Sequence, residues 1–161
     1  MLKATQLAQL LANRDVSAND PKVWAGVLAD VPLFAELSRR DRSKVAGAAR
    51  IKRFGDGTIL MRAGEPGEAL HVVLDGEVRV RPAGRRALTL GIGALVGELA
   101  LIDGGPRTAT VLARGDVVTL SITRAAFRKL LVREPRLALA ITEELARRLR
   151  SVAADAAVST A

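Results

Sequence analysis

Hydrophobic spacing divides the chain into two helical ends and a middle of period two. Leu2, Leu7, Leu10 and Leu11 share one broad face, which predicts a short amphipathic helix over residues 2–12. The Ser17-Ala18-Asn19-Asp20-Pro21 cluster interrupts it. Asp20 has the chemistry of an N-cap and Pro21 that of a first helical residue, so a second helix is expected over about 21–30. Pro32-Leu33-Phe34 reads as a packing turn. Ser38 and Asp41 then have the spacing of a capping box in its acidic form, opening a helix over about 39–49.

From residue 50 to 123 the apolar positions alternate in short runs punctuated by glycine. Strands are expected at 50–54, 58–61, 69–74, 77–81, 87–90, 108–113 and 117–122. The turns between them fall at Gly55-Asp56-Gly57, Gly64-Glu65-Pro66-Gly67, Asp75-Gly76 and Arg114-Gly115-Asp116. In Leu70-His71-Val72-Val73-Leu74 the alternation puts Leu70, Val72 and Leu74 on one face and His71 with Val73 on the other. Helical spacing returns at Thr123 or Arg124, with Phe127, Leu130 and Leu131 inward. It resumes at Pro135 with Leu137, Ile141, Leu145, Leu149 and Val152 through about residue 154, ahead of a frayed polar tail. Many short strands at this spacing between helical ends predict an α+β fold that is mainly β, a sandwich or jelly-roll barrel. The domain division expected is a helical extension at 1–30, a binding domain at 31–154 (barrel about 50–123, helices about 124–154) and a tail at 155–161.

Composition narrows the chemistry. The 161 residues suffice for one domain with a real core, filled mostly by Leu, Val, Ile and Ala because there is no Tyr, one Trp and three Phe. The absence of cysteine excludes disulfides, thiolate metal sites and a cysteine nucleophile. His71, as the single histidine, argues against a triad or a metal centre and reads as a packing residue. No apolar run reaches membrane-spanning length and no secretory pattern opens the chain, so a cytoplasmic protein with no membrane partner is expected. The formal charge of +8 has two readings, an anionic partner or a solvated surface. Scatter over Arg39-Arg40, Arg79, Arg81, Arg85-Arg86 and Arg147-Arg148, without interleaved aromatics, favours the second, and a positive field also recruits an anionic ligand.

The chemically suggestive stretch is 93–111, G-A-L-V-G-E-L-A-L-I-D-G-G-P-R-T-A-T-V. Gly97 lets backbone approach a ligand closely, and Glu98 opens a helical turn whose first N–H groups lack intrahelical partners. Leu99, Leu101 and Ile102 read as anchors of that turn. Arg107, behind the rigid Gly104-Gly105-Pro106 loop, offers a planar fork to a phosphate. The plainer readings are a helix-start acid for Glu98 and a solvated loop arginine for Arg107.

Gly97-Glu98-Leu99-Ala100-Leu101 followed by Pro106-Arg107-Thr108-Ala109 resembles the phosphate-binding cassette of cyclic nucleotide-binding domains, the family of the catabolite activator protein, kinase regulatory subunits and nucleotide-gated channels. The resemblance extends from about 31 to 152 and includes Pro32-Leu33-Phe34 and the turn glycine Gly76. It implies a double-stranded β-helix that binds without turnover, with no catalytic residue, metal or cofactor. It places a cyclic phosphate against Arg107, Thr108, Ala109, Leu99 and Ala100, and the ribose against Gly97 and Glu98. An ungapped carry-over lays Arg148, Leu149, Ser151 and Val152 near the purine. Ala94 and Val96 depart from the acid and the aromatic frequent in the family, and His71 stands where an aromatic is common.

The expected ligand is cAMP rather than cGMP, although Thr108 suits either base. Three functions compete for such a site. A regulatory sensor would move its terminal helices to change a homodimer or effector contact. A degenerate module would dock protein with an empty pocket; Glu98 and Arg107 argue against that reading, since local structure requires neither. An enzyme such as a phosphodiesterase would need a metal cluster or activated nucleophile. The helix-turn-helix that follows this domain in transcriptional activators has no counterpart in the sequence, which argues against DNA as a partner and for a stand-alone module.

Overall fold

The computed structural model describes residues 20–159, so the helix expected at 2–12 lies outside the described residues. The elements in chain order are α1 (Pro21–Leu28), α2 (Pro32–Ala35), α3 (Arg39–Gly47), β1 (Arg50–Phe54), β2 (Ile59–Met61), β3 (Ala69–Pro82), β4 (Leu88–Leu90), β5 (Leu95–Val96), α4 (Glu98–Asp103), β6 (Ala109–Thr123), α5 (Arg124–Arg133) and α6 (Pro135–Ser159). This is the expected mainly β, α+β architecture, with helices before and after the sheet.

The helix starts follow their capping chemistry. Asp20 accepts from the Lys22 amide, Ser38 Oγ accepts from the Asp41 amide at 3.0 Å, and Thr123 accepts from the Ala126 amide at 3.2 Å. The Asp41 carboxylate returns to Ser38 Oγ, which donates to it at 2.8 Å. Helix α6 continues past residue 154 to Ser159, further than the polar tail suggested. Alanines at 153, 154, 156 and 157 explain this, because alanine is the residue that costs a helix least.

The sheet corrects the expected strand count. The segments 69–74 and 77–81 are one strand, β3, and 108–113 and 117–122 are one strand, β6. The two run antiparallel along almost their whole length, from Ala69 opposite Thr123 to Pro82 opposite Ala109. The glycines read as hairpin turns lie instead at irregularities in this long ladder, where the register shifts between Val73 and Asp75 and between Asp75 and Glu77. A bulge and a turn both demand glycine, so their sequence signals coincide. The principal sheet order is β1-β6-β3-β4, with β2 also on β6 and β5 also on β3.

Alternation along β3 and β6 builds two cores. Leu70, Val72, Leu74, Leu120 and Ile122 face the helices and join Trp24, Leu28, Phe34, Val45, Leu101, Phe127, Leu137 and Ile141. The other face fills the barrel with Met61, Val73, Val78, Val96, Val111, Ala113 and Val117. Burying one large aliphatic side chain contributes about 1.5–3 kcal/mol, so the helical core is what holds α1, α5 and the first half of α6 to the sheet. An ion pair between Lys44 Nζ and Glu134 Oε1 at 2.6 Å adds a tie from α3 to the α5–α6 joint.

His71 lies on the barrel side of β3 and is 4% exposed. Its Nδ1 is 3.1 Å from Thr119 Oγ1, and its ring meets Phe54 edge-on at 5.7 Å. Burial, reinforced by Lys52 and Arg107, lowers its pKa to about 4. The folded protein therefore holds it neutral where the unfolded chain would take up a proton.

Two tests follow from this core. Gly76 has φ +80°, and a Cβ there would lie 2.3 Å from the Asp116 carbonyl oxygen, whereas Gly84 has φ +67° and open space around it. By urea unfolding, Gly76→Ala should lose about 3 kcal/mol and Gly84→Ala only about 1 kcal/mol. Equal losses would show that crowding at Gly76 is relieved without cost. For His71 the native state binds fewer protons, so its contribution is complete above the unfolded pKa near 6.5 and is lost as pH falls towards 4. Unfolding free energy should thus drop between pH 7 and pH 5 by about 2 kcal/mol more in the wild type than in His71→Phe. Parallel pH profiles would refute the depressed pKa.

Candidate functional site

The site is a loop-helix-loop inserted between β5 and β6. Gly97 follows β5 in the left-handed region at φ 88° and is the N-cap of the six-residue α4, which Gly104 closes at φ 74°. No side chain caps Gly97, so the amides of the first turn face outward without an intrahelical partner. Ala100 and Leu101 anchor α4, with Gly67 passing so close that a Cβ there would lie 2.4 Å from that of Ala100. Leu99, expected as a third anchor, is 46% exposed and lines the cavity instead. Asp103 Oδ1 accepts from the Gly105 amide at 2.8 Å and shapes the exit turn.

Backbone pairing then delivers Arg107. Its amide donates to the Glu65 carbonyl and its own carbonyl accepts from the Gly64 amide, both at 2.8 Å, while Pro106 bridges to Pro66. The side chain turns inward rather than into solvent, and the residue is 7% exposed. Nη1 donates to the Gly97 carbonyl at 2.8 Å and Nη2 donates to the Ala69 carbonyl. A Cβ on residue 97 would sit 2.4 Å from Nη1, which is a packing reason for glycine beside the cation. Burial lowers the Arg107 pKa from the usual arginine value, and Glu68 and Glu98 oppose that shift. Arg107 is therefore not the solvated loop residue of the plainer reading, and it has a structural duty that the sequence did not disclose.

The structure brings Gly97, Glu98, Leu99, Ala100, Arg107, Thr108 and Ala109 to the lining of one cavity of about 180 Å³. Barrel residues unforeseen as site residues complete the wall: Met61, Val80, Leu90, Leu95, Val96 and Val111. Strand parity could have found some of them, since the inward face of a barrel strand is read from its alternation. The residues laid near the purine are divided. Arg148, Leu149 and Val152 border a second, largely apolar groove of about 470 Å³ between α4 and α6, which shares Glu98 and Leu99 with the cavity. Ser151 lines neither. Arg148 reaches the cassette directly, Nη1 donating to Glu98 Oε1 at 2.8 Å.

Among the described residues there is no group of three His, Asp or Glu side chains able to hold a metal, and no helix long and apolar enough to cross a membrane. One buried cation, one carboxylate and outward amides around a small cavity can hold an anion and a neighbouring hydroxyl group.

Comparison with known proteins agrees with this chemistry. A cyclic nucleotide-gated potassium channel of Mesorhizobium japonicum is 38% identical over 112 residues, covering 70% of this chain and 31% of the channel. The N-terminal domain of a transcriptional regulator from Streptomyces coelicolor superposes with a TM-score of 0.69 at 34% identity, covering 80% of this chain and 93% of that domain. The regulatory domain of Toxoplasma gondii PKA, co-crystallised with cAMP, superposes with a TM-score of 0.69 at 25% identity over 89% of this chain and 55% of that one. The chain spans about a quarter to a third of the length of the curated relatives it matches. A model of the cyclic nucleotide-binding domain matches residues 51–134, and with it the chain belongs to that family.

Proposed function

We propose that this domain binds a 3′,5′-cyclic nucleotide, cAMP in preference to cGMP, as a regulatory module without turnover. The observation that carries the reading is the position of Arg107, a cation fixed at the base of the cavity beside the uncapped turn of α4. The cyclic phosphate takes Arg107, the amides of Leu99 and Ala100, and the Thr108–Ala109 segment; the ribose hydroxyl takes Glu98 beside Gly97. The purine lies towards Arg148, Ser151 and Val152 on α6. Residues 31–154 act as the binding domain, and occupancy biases α5 and α6, changing a homodimer contact or the contact with an effector protein. The cAMP bound by the Toxoplasma relative supports the choice of base.

One observation favours a second reading, a protein-docking module that takes no nucleotide. Both terminal nitrogens of Arg107 already donate to backbone carbonyls, and Glu98 already has a cationic partner. The polar pair thus has partners within the fold.

Calorimetric titration separates the two. The wild type should bind cAMP at micromolar concentration or tighter and cGMP more weakly. Glu98→Gln should weaken cAMP about tenfold, and Arg107→Lys by one to two powers of ten or about that, as loss of charge-assisted hydrogen bonds entails. Absence of heat and of thermal stabilisation with either nucleotide would leave the docking module standing.

A further inference from the structure

Arginines that lie scattered along the sequence are gathered onto one sheet face by strand pairing. On β3, Val78 and Val80 point into the barrel, so Arg79 and Arg81 stand on the outside, both exposed. Arg79 is opposite Thr89 of β4 and Leu112 of β6, and Arg81 is opposite Thr110 of β6. Thr110 Oγ1 accepts from the Ala63 amide at 3.0 Å, which brings the exposed Arg62 beside the same row. Exposed Arg85 and Arg86 occupy the link from β3 to β4.

This charge is uncompensated. From Val78 to Gly97 the chain carries four arginines and no acid. Glu77, two residues before Arg79, pairs with Arg114 at 3.7 Å instead. Among the described residues, Arg62, Arg79, Arg81, Arg85 and Arg86 have no ionic partner. Solvation alone does not sort one sign of charge onto one face, since interspersed signs are what keep a surface inert.

The second observation is an open edge. β4 pairs with β3 and with no other strand, and residues 86–90 make no backbone hydrogen bond outside that pairing, among the described residues. Thr89 is short, so nothing bulky separates Arg79 from this edge. An unpaired edge accepts an extended segment by strand addition, where the backbone gives affinity and alternate side chains give selectivity. Those alternate side chains stand about 7 Å apart, the same step that separates Arg79 from Arg81. A guanidinium takes a carboxylate through two parallel hydrogen bonds. No aromatic residue lies in 58–63, 77–92 or 107–114 to stack a nucleic-acid base.

We propose that this face and the β4 edge dock an extended acidic segment of a partner protein, with carboxylates at alternate positions. The proposal holds whether or not the cavity takes a nucleotide. Val80 and Leu90 line that cavity from the inner side of the same two strands, so the docked segment lies on the reverse of its wall.

The test is fluorescence polarisation with a labelled peptide of repeated Glu-Thr pairs. The wild type should bind it at 50 mM salt and lose about tenfold in affinity at 300 mM, while the peptide with glutamine for every glutamate should not bind. Arg79→Gln with Arg81→Gln should weaken binding about tenfold, and Arg79→Lys with Arg81→Lys about threefold. Arg39→Gln with Arg40→Gln on α3 removes the same charge and should change it less than about twofold. Hydrogen exchange at residues 86–90 should slow when the peptide is bound. Equal losses in the two glutamine pairs would show attraction to overall charge, and unchanged exchange at 86–90 would remove the strand addition. A phosphatidylserine vesicle or a DNA duplex held more tightly than the peptide through Arg79 and Arg81 would assign the face to another class of partner. Each of these results, like the absence of binding at 50 mM salt, overturns the proposal.

Discussion

Everything around the cassette depends on where the Arg107 guanidinium is placed. A charged side chain withdrawn from water is costly unless its donors are satisfied, and here two backbone carbonyls satisfy them, Gly97 at the end of β5 and Ala69 at the start of β3. The bonds join the long strand of the barrel to the entry of α4 and to the loop leaving it. They also explain the glycine at 97, since any side chain there would collide with the nitrogen that makes the bond. The residue that best suits an anionic ligand is thus also part of the frame. Preorganisation comes from this double use, because a cation already held by the backbone needs no reorganisation to meet a charge.

The balance of charge around that cation is equally specific. Glu68 and Glu98 temper its field, and Glu98 is in turn matched by Arg148. Of the residues lining the cavity, Arg107 supplies the cation and Glu98 the carboxylate, so the wall keeps a donor fork for an anion and an acceptor for a hydroxyl. His71, packed nearby and uncharged, adds nothing to that field at neutral pH.

Much of this was legible in the residues. The Asp20, Ser38 and Thr123 caps start α1, α3 and α5 because short polar side chains have few better uses before an apolar helix. The two faces of β3 follow from alternation alone, and the cassette residues that line the cavity are those the family pattern marked. What was not legible has a common cause. Gly76 and Gly115 signal positive φ, but only the pairing partner decides whether that makes a turn or a bend in a continuous ladder. Arg107 gave no hint of burial because its acceptors are backbone oxygens, which carry no residue-type signal. Arg148, Leu149, Ser151 and Val152 were placed by register along a helix, and helix phase separates Ser151 from the other three.

The asymmetry of α6 gives the molecule leverage. Its first half is clamped, with Leu137 and Ile141 in the core and Glu134 tied to α3, while Leu149 and Val152 stand 70% and 58% exposed. A helix of this length reaches about 37 Å, with Arg148 a little beyond its midpoint. A beam held at one end and pinned at its middle by a single ion pair magnifies any movement at the pin. Pivoting where the clamp ends at Ile141, a tilt of about 10° would carry the far end about 5 Å sideways on the same geometry. The distal turn of this helix is therefore where any movement of the Arg148–Glu98 pair would be magnified, roughly two- to threefold by the ratio of the two arms beyond Ile141.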